Sequence, residues 1–494
     1  MRKGFLFWSG IILGIVFIVA LLVIFGHEPE VRGLLSAIPE PDGGQPYVFT
    51  LSDGTLFNSD PKDLFFDIDE NRESSLPFYE SFSRLASKSE KVALLALWDQ
   101  DRIRLMASMK IPYEELQTLS EGSFPETWKD IKDVKLVKND DGVLLLEPPA
   151  IREPIFLKRD GGLLLVSNSV QDLSSMGEVL AGNMEAIELE GSPLFGDHEN
   201  FIKIHDAGLL SQIALLYGIP TKPGNISLHG RWESSSTKGE MVWQISGLET
   251  VFTEELLSLL KPAEWRTPLI LPDPVLLAIG FNAPELPAEE YGKLHLLELA
   301  EDYEMASEDL MRVFRGPMTI SVSGESKFIL FKMPGLLAQF QSRGEAGKDF
   351  IGKFWSSQWR AFIPAISPIE GFEKGGSTSL PLSLLGIAND DLAAVGFLEA
   401  SNARELHLPG KKVHILKKSS DRALLWLFLD GPGLSDSLKT VAQAGEIAEK
   451  MGSDLGERTA DIIETARKLE KLGKLSMVMK DIENGILQWE GSNP

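Results

Sequence analysis

The chain contains no cysteine among its 494 residues. Disulfide bonds, thiol nucleophiles, cysteine-ligated zinc and iron–sulfur clusters are therefore excluded, and so is an acylated lipoprotein cysteine. Because these cross-links are excluded, most of the stability of the folded state must come from apolar burial. Domains of roughly 200 residues bury enough apolar surface for this.

Basic residues are scarce, with 48 Lys and Arg against 72 Asp and Glu, which gives a net charge of −24. A surface this acidic repels phosphate backbones. We therefore expect no nucleic-acid partner. We interpret the acidic charge as a means of keeping an exported protein soluble, and we favour this interpretation over a specific acidic site.

Long uncharged apolar runs are also rare, and the clearest one spans residues 5–25. As a helix it would be about 30 Å long, the thickness of a bilayer's hydrocarbon core. Arg2 and Lys3 precede it, so the amino terminus is predicted to stay in the cytoplasm. A cleaved signal peptide would have a shorter apolar core and a small-residue cleavage site. We expect a retained single-pass anchor (residues 1–26) in the cell inner membrane, with the bulk of the chain periplasmic or extracellular.

Two halves of the chain carry similar features in the same order, which predicts a tandem duplication. Ile38-Pro39-Glu40-Pro41 is echoed by Leu271-Pro272-Asp273-Pro274, and each is followed by an apolar strand. Hairpins are predicted over 92–109 and 318–333, the second turning at Gly324-Glu325-Ser326. Each hairpin precedes a proline, Pro112 or Pro334, and then a helical pattern.

Further echoes extend to the end of each half. A Ser-Asn pair starts a helix at Asn168 and again at Asn402, and a strand ending in Asp then Gly precedes a helix at Asp206 and Asp430. The predicted domains are a 27–37 stalk, a first module over 38–262 and a second module over 263–494.

Short Gly- and Asp-containing turns separate apolar runs, as in antiparallel hairpins. Helical periodicity appears at 170–180, 209–217, 253–260, 289–299, 349–356 and 434–472. The predicted fold class is α+β: one transmembrane helix, then two related modules, each a mostly antiparallel sheet with helices packed on one face.

This order of features resembles a domain-of-unknown-function family of exported, amino-terminally anchored bacterial proteins with a duplicated α+β module. The similar pieces are Phe314-Arg315-Gly316-Pro317 before the strand Thr319-Ile320-Ser321-Val322, the Ser-Asn helix start, the strand–Asp–Gly–helix step, and Gly191-Ser192-Pro193-Leu194-Phe195 before the strand at 201–206. The resemblance implies no activity and no functional residue.

Three polar clusters have the residue types of metal sites. Asp197-His198-Glu199 with His205-Asp206 could hold a divalent ion, but His205 ends a predicted strand and fits a packing position. The segment from Asp67 to Glu73 begins like a calcium loop, yet Arg72 stands where that loop needs glycine and Phe78 where it needs glutamate. His295 and Glu298 reverse the di-iron Glu-x-x-His order, so a solvated helix face is the better interpretation. We predict no metal site and no cofactor.

Catalytic signatures are missing from the sequence as well. There is no Gly-x-Ser-x-Gly elbow and no phosphate-binding Gly-x-x-x-x-Gly-Lys-Ser/Thr motif. Ser323-Gly324-Glu325-Ser326 is interpreted as a turn, and the seven histidines suggest no triad. We predict no catalytic residue.

Trp355 and Trp359 lie four residues apart, with Phe350 and Phe354 nearby. Such a stripe is typical of a core, but it could also line an apolar groove for a lipid or a partner helix. The sequence thus favours a non-enzymatic envelope binding or scaffold protein whose partner is the membrane and an envelope protein or lipid. The alternatives are a carrier or sensor of an apolar ligand, and an envelope hydrolase.

Overall fold

A computed structural model describes residues 32–41, 44–53, 82, 84–99, 102–126, 128, 135–138, 142–147, 155–187, 200–208, 211, 221–234, 238–284, 301, 304–328, 331–341, 344–356, 365–379, 382–409, 422–450 and 459–491. The chain divides into two compact units, with the boundary between Thr253 and Glu254. Each unit is described separately.

The first unit is built on antiparallel strands. They are β1 (Tyr47–Asp53), β2 (Lys91–Asp99), β3 (Arg102–Lys110), β4 (Lys135–Lys138), β5 (Leu144–Glu147), β6 (Ile155–Asp160), β7 (Leu163–Ser167), β8 (Phe201–His205), β9 (Ser227–Ser234) and β10 (Lys238–Ser246). Their order of neighbours is β4-β5-β6-β7-β3-β2-β1-β8-β9-β10. β2–β3, β6–β7 and β9–β10 are pairs of consecutive strands separated by only two or three residues, which is the pairing that the turn signals predict.

Both faces of the first sheet are covered. The described helices of this unit are α1 (Arg32–Leu35), α2 (Tyr113–Ser120), α3 (Val170–Leu180) and α4 (Leu248–Val251). One core packs α1 and α3 against side chains such as Phe49 and Leu95. The other core packs α2 and Trp128 against the opposite face. Leu34 and Ala37, which fall within the predicted stalk, are buried in the first of these cores.

The second unit also consists mostly of antiparallel strands. They are β11 (Ala263–Glu264), β12 (Leu269–Ile270), β13 (Val275–Ala283), β14 (Gly316–Phe328), β15 (Phe331–Gln341), β16 (Lys374–Ser377), β17 (Leu384–Ala388), β18 (Leu392–Phe397), β19 (Leu406–His407), β20 (Arg422–Ala423), β21 (Leu425–Asp430), β22 (Lys474–Met479) and β23 (Asn484–Glu490). The main sheet has the order β16-β17-β18-β15-β14-β13-β21-β22-β23, and β11–β20 and β12–β19 are separate short pairs.

Six strands of each unit have corresponding neighbours. β1, β2 and β3 have the same neighbours as β13, β14 and β15, and β8, β9 and β10 the same as β21, β22 and β23. The strand–Asp–Gly part of the predicted step is present in both units, and the chain that follows Gly208 lies mostly outside the described residues. Asp206 accepts a hydrogen bond from the Gly208 N–H (3.3 Å), and Asp430 accepts one from the Gly433 N–H (3.0 Å). Each carboxylate thus fixes the turn that leaves its strand.

The second unit contains longer helices. They are α5 (Glu254–Leu259), α6 (Ser307–Phe314), α7 (Glu345–Ser356), α8 (Gly431–Lys450) and α9 (Thr459–Leu472). α6 and α7 pack over one part of a sheet face around Phe340 and Leu384. The opposite face is covered by the chain around Trp265 and Leu269–Ile270.

The predicted α+β class is wrong. The structure is 45% strand and 27% helix, and nineteen of the described strands lie in antiparallel sheet. The physical reason is that most of the apolar runs are extended and pair as strands, including Leu384–Ala388, where every residue is buried. Extended segments such as 265–271, rather than a helical layer, cover the second sheet's other face.

Two local predictions are also wrong. Gly324-Glu325-Ser326 does not form a turn; it lies within β14, where the pairing with β15 shifts between Val322 and Glu325. Gly324 has a φ of +62°, which its lack of a side chain permits. Pro334 lies inside β15 and starts no helix, and the chain at Asn402 forms only a three-residue 3-10 turn.

The predicted anchor, residues 5–25, lies outside the described residues. Within the part of the chain that the structure describes, no helix has both the length and the apolar character needed to cross a bilayer.

Candidate functional site

Most of the acidic clusters considered as metal sites lie outside the described residues. This applies to Asp197-His198-Glu199, to the segment 67–73, and to the helix positions at His295 and Glu298. Across the ranges that the structure describes, no group of three or more His, Asp or Glu side chains has the geometry to hold a metal ion.

His205 and Asp206 are both described, and each has a structural environment. The His205 ring stacks on Tyr47 with centroids 5.3 Å apart, and its Nδ1 lies 3.0 Å from Ser227 Oγ. The buried Asp206 carboxylate also accepts a hydrogen bond from the Ile226 N–H (2.5 Å). The imidazole is therefore packed on an aromatic ring, and the carboxylate fixes backbone.

The serine cluster at 323–326 lies on the buried side of β14. Ser323 and Ser326 are both almost fully buried, and Ser323 Oγ lies 3.4 Å from Ser321 Oγ. A nucleophilic serine needs access to substrate and a positioned base. This environment supplies a hydroxyl neighbour and sheet packing instead.

The aromatic stripe on α7 belongs to the core. Phe350, Phe354 and Trp355 are each less than 8% exposed and pack with Phe340 and Leu384. Trp355 Nε1 donates a hydrogen bond to the Gly386 carbonyl (2.7 Å), which fixes α7 on the sheet. Trp359 lies outside the described residues.

A groove of about 480 Å³ lies beside α6 and α7, but its lining is charged. Glu304, Asp309, Asp349, Lys353 and Lys374 all face it. An acyl chain needs an apolar lining, so this groove does not suit a lipid tail.

Two carboxylates with lowered pKa, Glu464 and Glu470, are surface groups on α9. A hydrogen bond from Lys468 lowers the pKa of Glu464, and one from Lys439 lowers the pKa of Glu470.

The first unit contains a buried charged cluster whose residues belong to none of the sequence motifs described above. Lys91 is 1% exposed and Asp53 is 3% exposed; Lys91 Nζ lies 3.5 Å from Asp53 Oδ1 and donates a hydrogen bond to Asn200 Oδ1 (3.3 Å). The cross-strand pairing of β1 with β2 places the two charges side by side. Their burial suits a structural role more than contact with a ligand.

Basic side chains also line adjacent strands of the first sheet. Lys203 on β8 pairs with His229 on β9 and lies over the Tyr47 ring. Burial, and then the positive charge of Lys203, lower the pKa of His229 below its usual 6.5. The neutral imidazole is therefore favoured in the folded protein.

In the second unit, residues 318–323 of β14 are polar on the covered side of the β14–β15 hairpin and apolar on its outer side. Thr319, Ser321 and Ser323 alternate along β14 and are each 0–1% exposed. On the covered side, Gln339 binds the backbone of Ile270 twice, accepting from its N–H (2.7 Å) and donating to its carbonyl (2.9 Å). This polar side is therefore the one that the 269–271 segment covers.

The outer side carries large apolar residues. Ile320 is 40% exposed and Leu336 is 45% exposed, and Val322 pairs with Leu336 across the hairpin. Since cross-strand partners share a face, these three residues form one surface, which we call the open face. The part of the same sheet face around Phe340 and Ala393 is covered by α6 and α7. In the first unit, Trp98 on β2 is 44% exposed on the face that carries α2.

Sequence reasoning missed the open face. The alternation of polar and apolar residues along 318–323 is visible, but its usual interpretation places the apolar side inside. Which side is covered depends on contacts with residues 269–271 and 307–356, which are remote in sequence. The one local signal is the small hydroxyl residue at every second position of β14, which is compatible with a segment packed closely on that side.

No protein-family model and no curated protein matches the chain. Three solved structures are similar in part: crystal forms III, I and IV of TP0453, at 11%, 13% and 12% identity. They cover 43%, 45% and 43% of this chain and 78%, 79% and 79% of TP0453, with TM-scores of 0.26, 0.25 and 0.25. At these TM-scores the likeness carries no argument about fold or function.

Proposed function

We propose that this protein is a non-enzymatic binding protein of the cell envelope, and that its open face holds the apolar surface of a partner protein. Residues 5–25 would tether it to the inner membrane, with the amino terminus in the cytoplasm and the bulk of the chain periplasmic or extracellular. The resemblance to exported, anchored proteins of unknown function agrees with this proposal.

The proposal rests on the β14–β15 hairpin, where apolar side chains are exposed and polar side chains of β14 are covered. Ile320 on β14 and Leu336 on β15 stay about half exposed, while the hydroxyl residues of β14 are buried. Burying a leucine or isoleucine side chain completely is worth about 1.5–3 kcal/mol each. An exposed apolar patch of this kind on a soluble surface is typical of an interaction site.

A partner protein fits this face better than the other classes considered. The net charge of −24 disfavours nucleic acid. A flat apolar sheet face normally packs against an amphipathic helix or a second sheet. The groove beside α6 and α7 is charged, which does not suit a lipid carrier, and the described carboxylates with shifted pKa do not form a catalytic cleft.

Site-specific crosslinking tests the proposal in the native envelope. Because the chain has no cysteine, Leu336→Cys in the full chain can carry one benzophenone. Asp436→Cys on α8, whose side chain is 82% exposed, is the matched control outside the open face. We expect a discrete protein adduct from position 336 that is missing at position 436, identified by mass spectrometry.

Two results would overturn this function. Equal labelling at both positions would show that the open face has no specific partner. A lipid adduct at position 336 would favour the carrier alternative instead.

A matched pair of substitutions separates binding from folding. Ile320→Ser, with a crosslinker at Val322→Cys, should abolish the adduct and leave the thermal midpoint nearly unchanged, because Ile320 is on the outer side. Leu337→Ser, one position along β15 from Leu336 and 1% exposed, should instead destabilise the unit. An adduct that survives Ile320→Ser would contradict the assigned face.

A further inference from the structure

Three neighbouring strands of the first sheet carry nitrogen hydrogen-bond donors on one face. Lys203 on β8 pairs with His229 on β9, and His229 pairs with Gln244 on β10. Cross-strand partners share a face, and so does His205, two positions along β8 from Lys203. All four residues are half-buried. We call Lys203, His205, His229 and Gln244 the donor patch.

The donor patch lies on the accessible face of these strands. On the opposite face, Ile202, Met241 and Trp243 are each less than 8% exposed, so that side is core. Further along the face of the donor patch, the apolar side chains of β1 and β2 are covered by α1 and α3. The donor patch therefore lies beside a covered region and keeps part of its own surface open to solvent.

Aromatic contacts hold two side chains of the donor patch in place. Lys203 Nζ lies 5.7 Å from the centre of the Tyr47 ring, and the His205 ring stacks on that same ring. Ser227 Oγ, 3.0 Å from His205 Nδ1, also fixes the orientation of the imidazole. A cation is attracted to an aromatic face, so Lys203 loses less freedom when an anion binds to it.

The donor patch concentrates positive charge in a strongly acidic chain. The positions that pair with its residues in the same two rows of the sheet are not acidic; they are Tyr47, Phe49, Ser227 and Ser246. Lys203 and His229 are direct cross-strand partners, where like charges repel. Burial, and then the charge of Lys203, lower the pKa of His229. An anion beside Lys203 would offset this repulsion.

We propose that the donor patch binds a phosphate group. The Lys203 ammonium supplies a charge-assisted hydrogen bond, and the His229 imidazole and the Gln244 amide add further N–H donors. A phosphate group offers more acceptor oxygens than a carboxylate, so it can accept hydrogen bonds from all three strands at once.

The acidity of the chain is compatible with this ligand. At physiological ionic strength, charges further away than about 8 Å are largely screened, so a small phosphate responds mainly to the donor patch. A long polyanion would also meet the surface that carries the net charge of −24. The inference goes beyond the proposed function, because the donor patch lies in the first unit and the open face in the second.

Isothermal titration calorimetry of the detergent-purified full chain with inorganic phosphate tests this site. We expect saturable binding that Lys203→Gln weakens by about tenfold or more and Gln244→Leu by about fivefold, since a hydrogen bond to a charged group is the stronger one. Lys203→Arg keeps the charge and should retain most of the affinity. Lys222→Gln, at an exposed lysine of the first unit outside the donor patch, is the matched control and should bind like the parent.

Three results would overturn the inference. The first is the absence of saturable binding to the parent, and the second is equal affinity of the parent and of Lys203→Gln. The third is equal weakening by Lys203→Gln and Lys222→Gln, because binding would then depend on overall charge. Circular dichroism and the thermal midpoint show that each compared variant is folded.

Competition then identifies the source of the phosphate group. Glycerol phosphate represents a soluble phosphoester, and dihexanoyl phosphatidate represents a lipid head group. Stronger displacement of inorganic phosphate by one of them assigns the donor patch to that class, and displacement by neither assigns it to free phosphate. Crosslinking at position 336 is measured separately, so loss of the adduct there rejects the partner protein and leaves the donor patch standing.

Discussion

Asp53 and Lys91 form a charged pair that is buried almost completely in the first sheet. Neither residue stands out in the sequence, because a lysine at the start of a strand is normally solvated. The pairing of β1 with β2 and the Asn200 side chain create this environment, and both are contacts between residues distant in sequence. No local pattern could have predicted them.

We expect Asp53→Asn to destabilise the first unit strongly. Removing one charge of a buried pair leaves the other uncompensated, which typically costs about 3–5 kcal/mol. The free energy of unfolding in urea is the measurement. Asp53→Asn combined with Lys91→Met is the control, and it should recover most of the loss. A single variant within about 0.5 kcal/mol of the parent would contradict a buried ion pair.

His229 gives a second prediction, for pH dependence. Burial and Lys203 hold its folded pKa below 6.5. The unfolded chain therefore binds more protons as the pH falls below about 6.5, and the free energy of unfolding decreases in that range. Above it, this contribution is constant.

His229→Gln should remove that part of the pH dependence when denaturation at about pH 5 and pH 8 is compared. Lys203→Gln should weaken it, because the repelling charge is gone. An unchanged pH slope in His229→Gln would show that other groups cause the loss of stability in acid.

At the scale of elements, local signals predicted some helices closely. The helix expected at 170–180 is α3, and Ser169 is its amino-terminal cap, accepting a hydrogen bond from the Asp172 N–H. This is possible because a cap and an apolar period are both local features. The turn and helix start predicted at Gly324 and Pro334 are wrong because turn residues also occur in bulged strands, where only the partner strand shows the difference.

Gly386 on β17 allows α7 to pack closely on its sheet. A Cβ at this position would lie 2.8 Å from Phe354 Cδ1 and from Trp355 Nε1. Gly386→Ala should therefore lower the free energy of unfolding by about 1–3 kcal/mol through overpacking. Gly162→Ala is the control, since nothing lies within 4 Å of the added Cβ, and it should be neutral. Equal stability of the two variants would mean that α7 can shift away without cost.

At the scale of the whole molecule, the sequence predicted a repeated order of features, and the strand order of the two units repeats in the same way. What the sequence could not supply is which face of each strand is covered. That choice depends on segments such as 34–38 and 265–271, whose packing partners are far along the chain. The open face is the consequence of this choice with the greatest bearing on function.

Each of the described core clusters lies within one unit, which leads to the last prediction. The clusters of the first unit run from Leu34 to Phe201, and those of the second from Trp265 to Val478. Proteins open locally as well as globally, and local strain accelerates exchange first in the elements that contact it. In the Gly386→Ala variant, hydrogen exchange measured by mass spectrometry should accelerate in α7, β17 and β18. Exchange in β1, β2 and β3 should stay at the parent rate, with Gly162→Ala as the reference. Equal acceleration in β1, β2 and β3 would instead show that Gly386→Ala lowers global stability and does not act only on the elements around position 386.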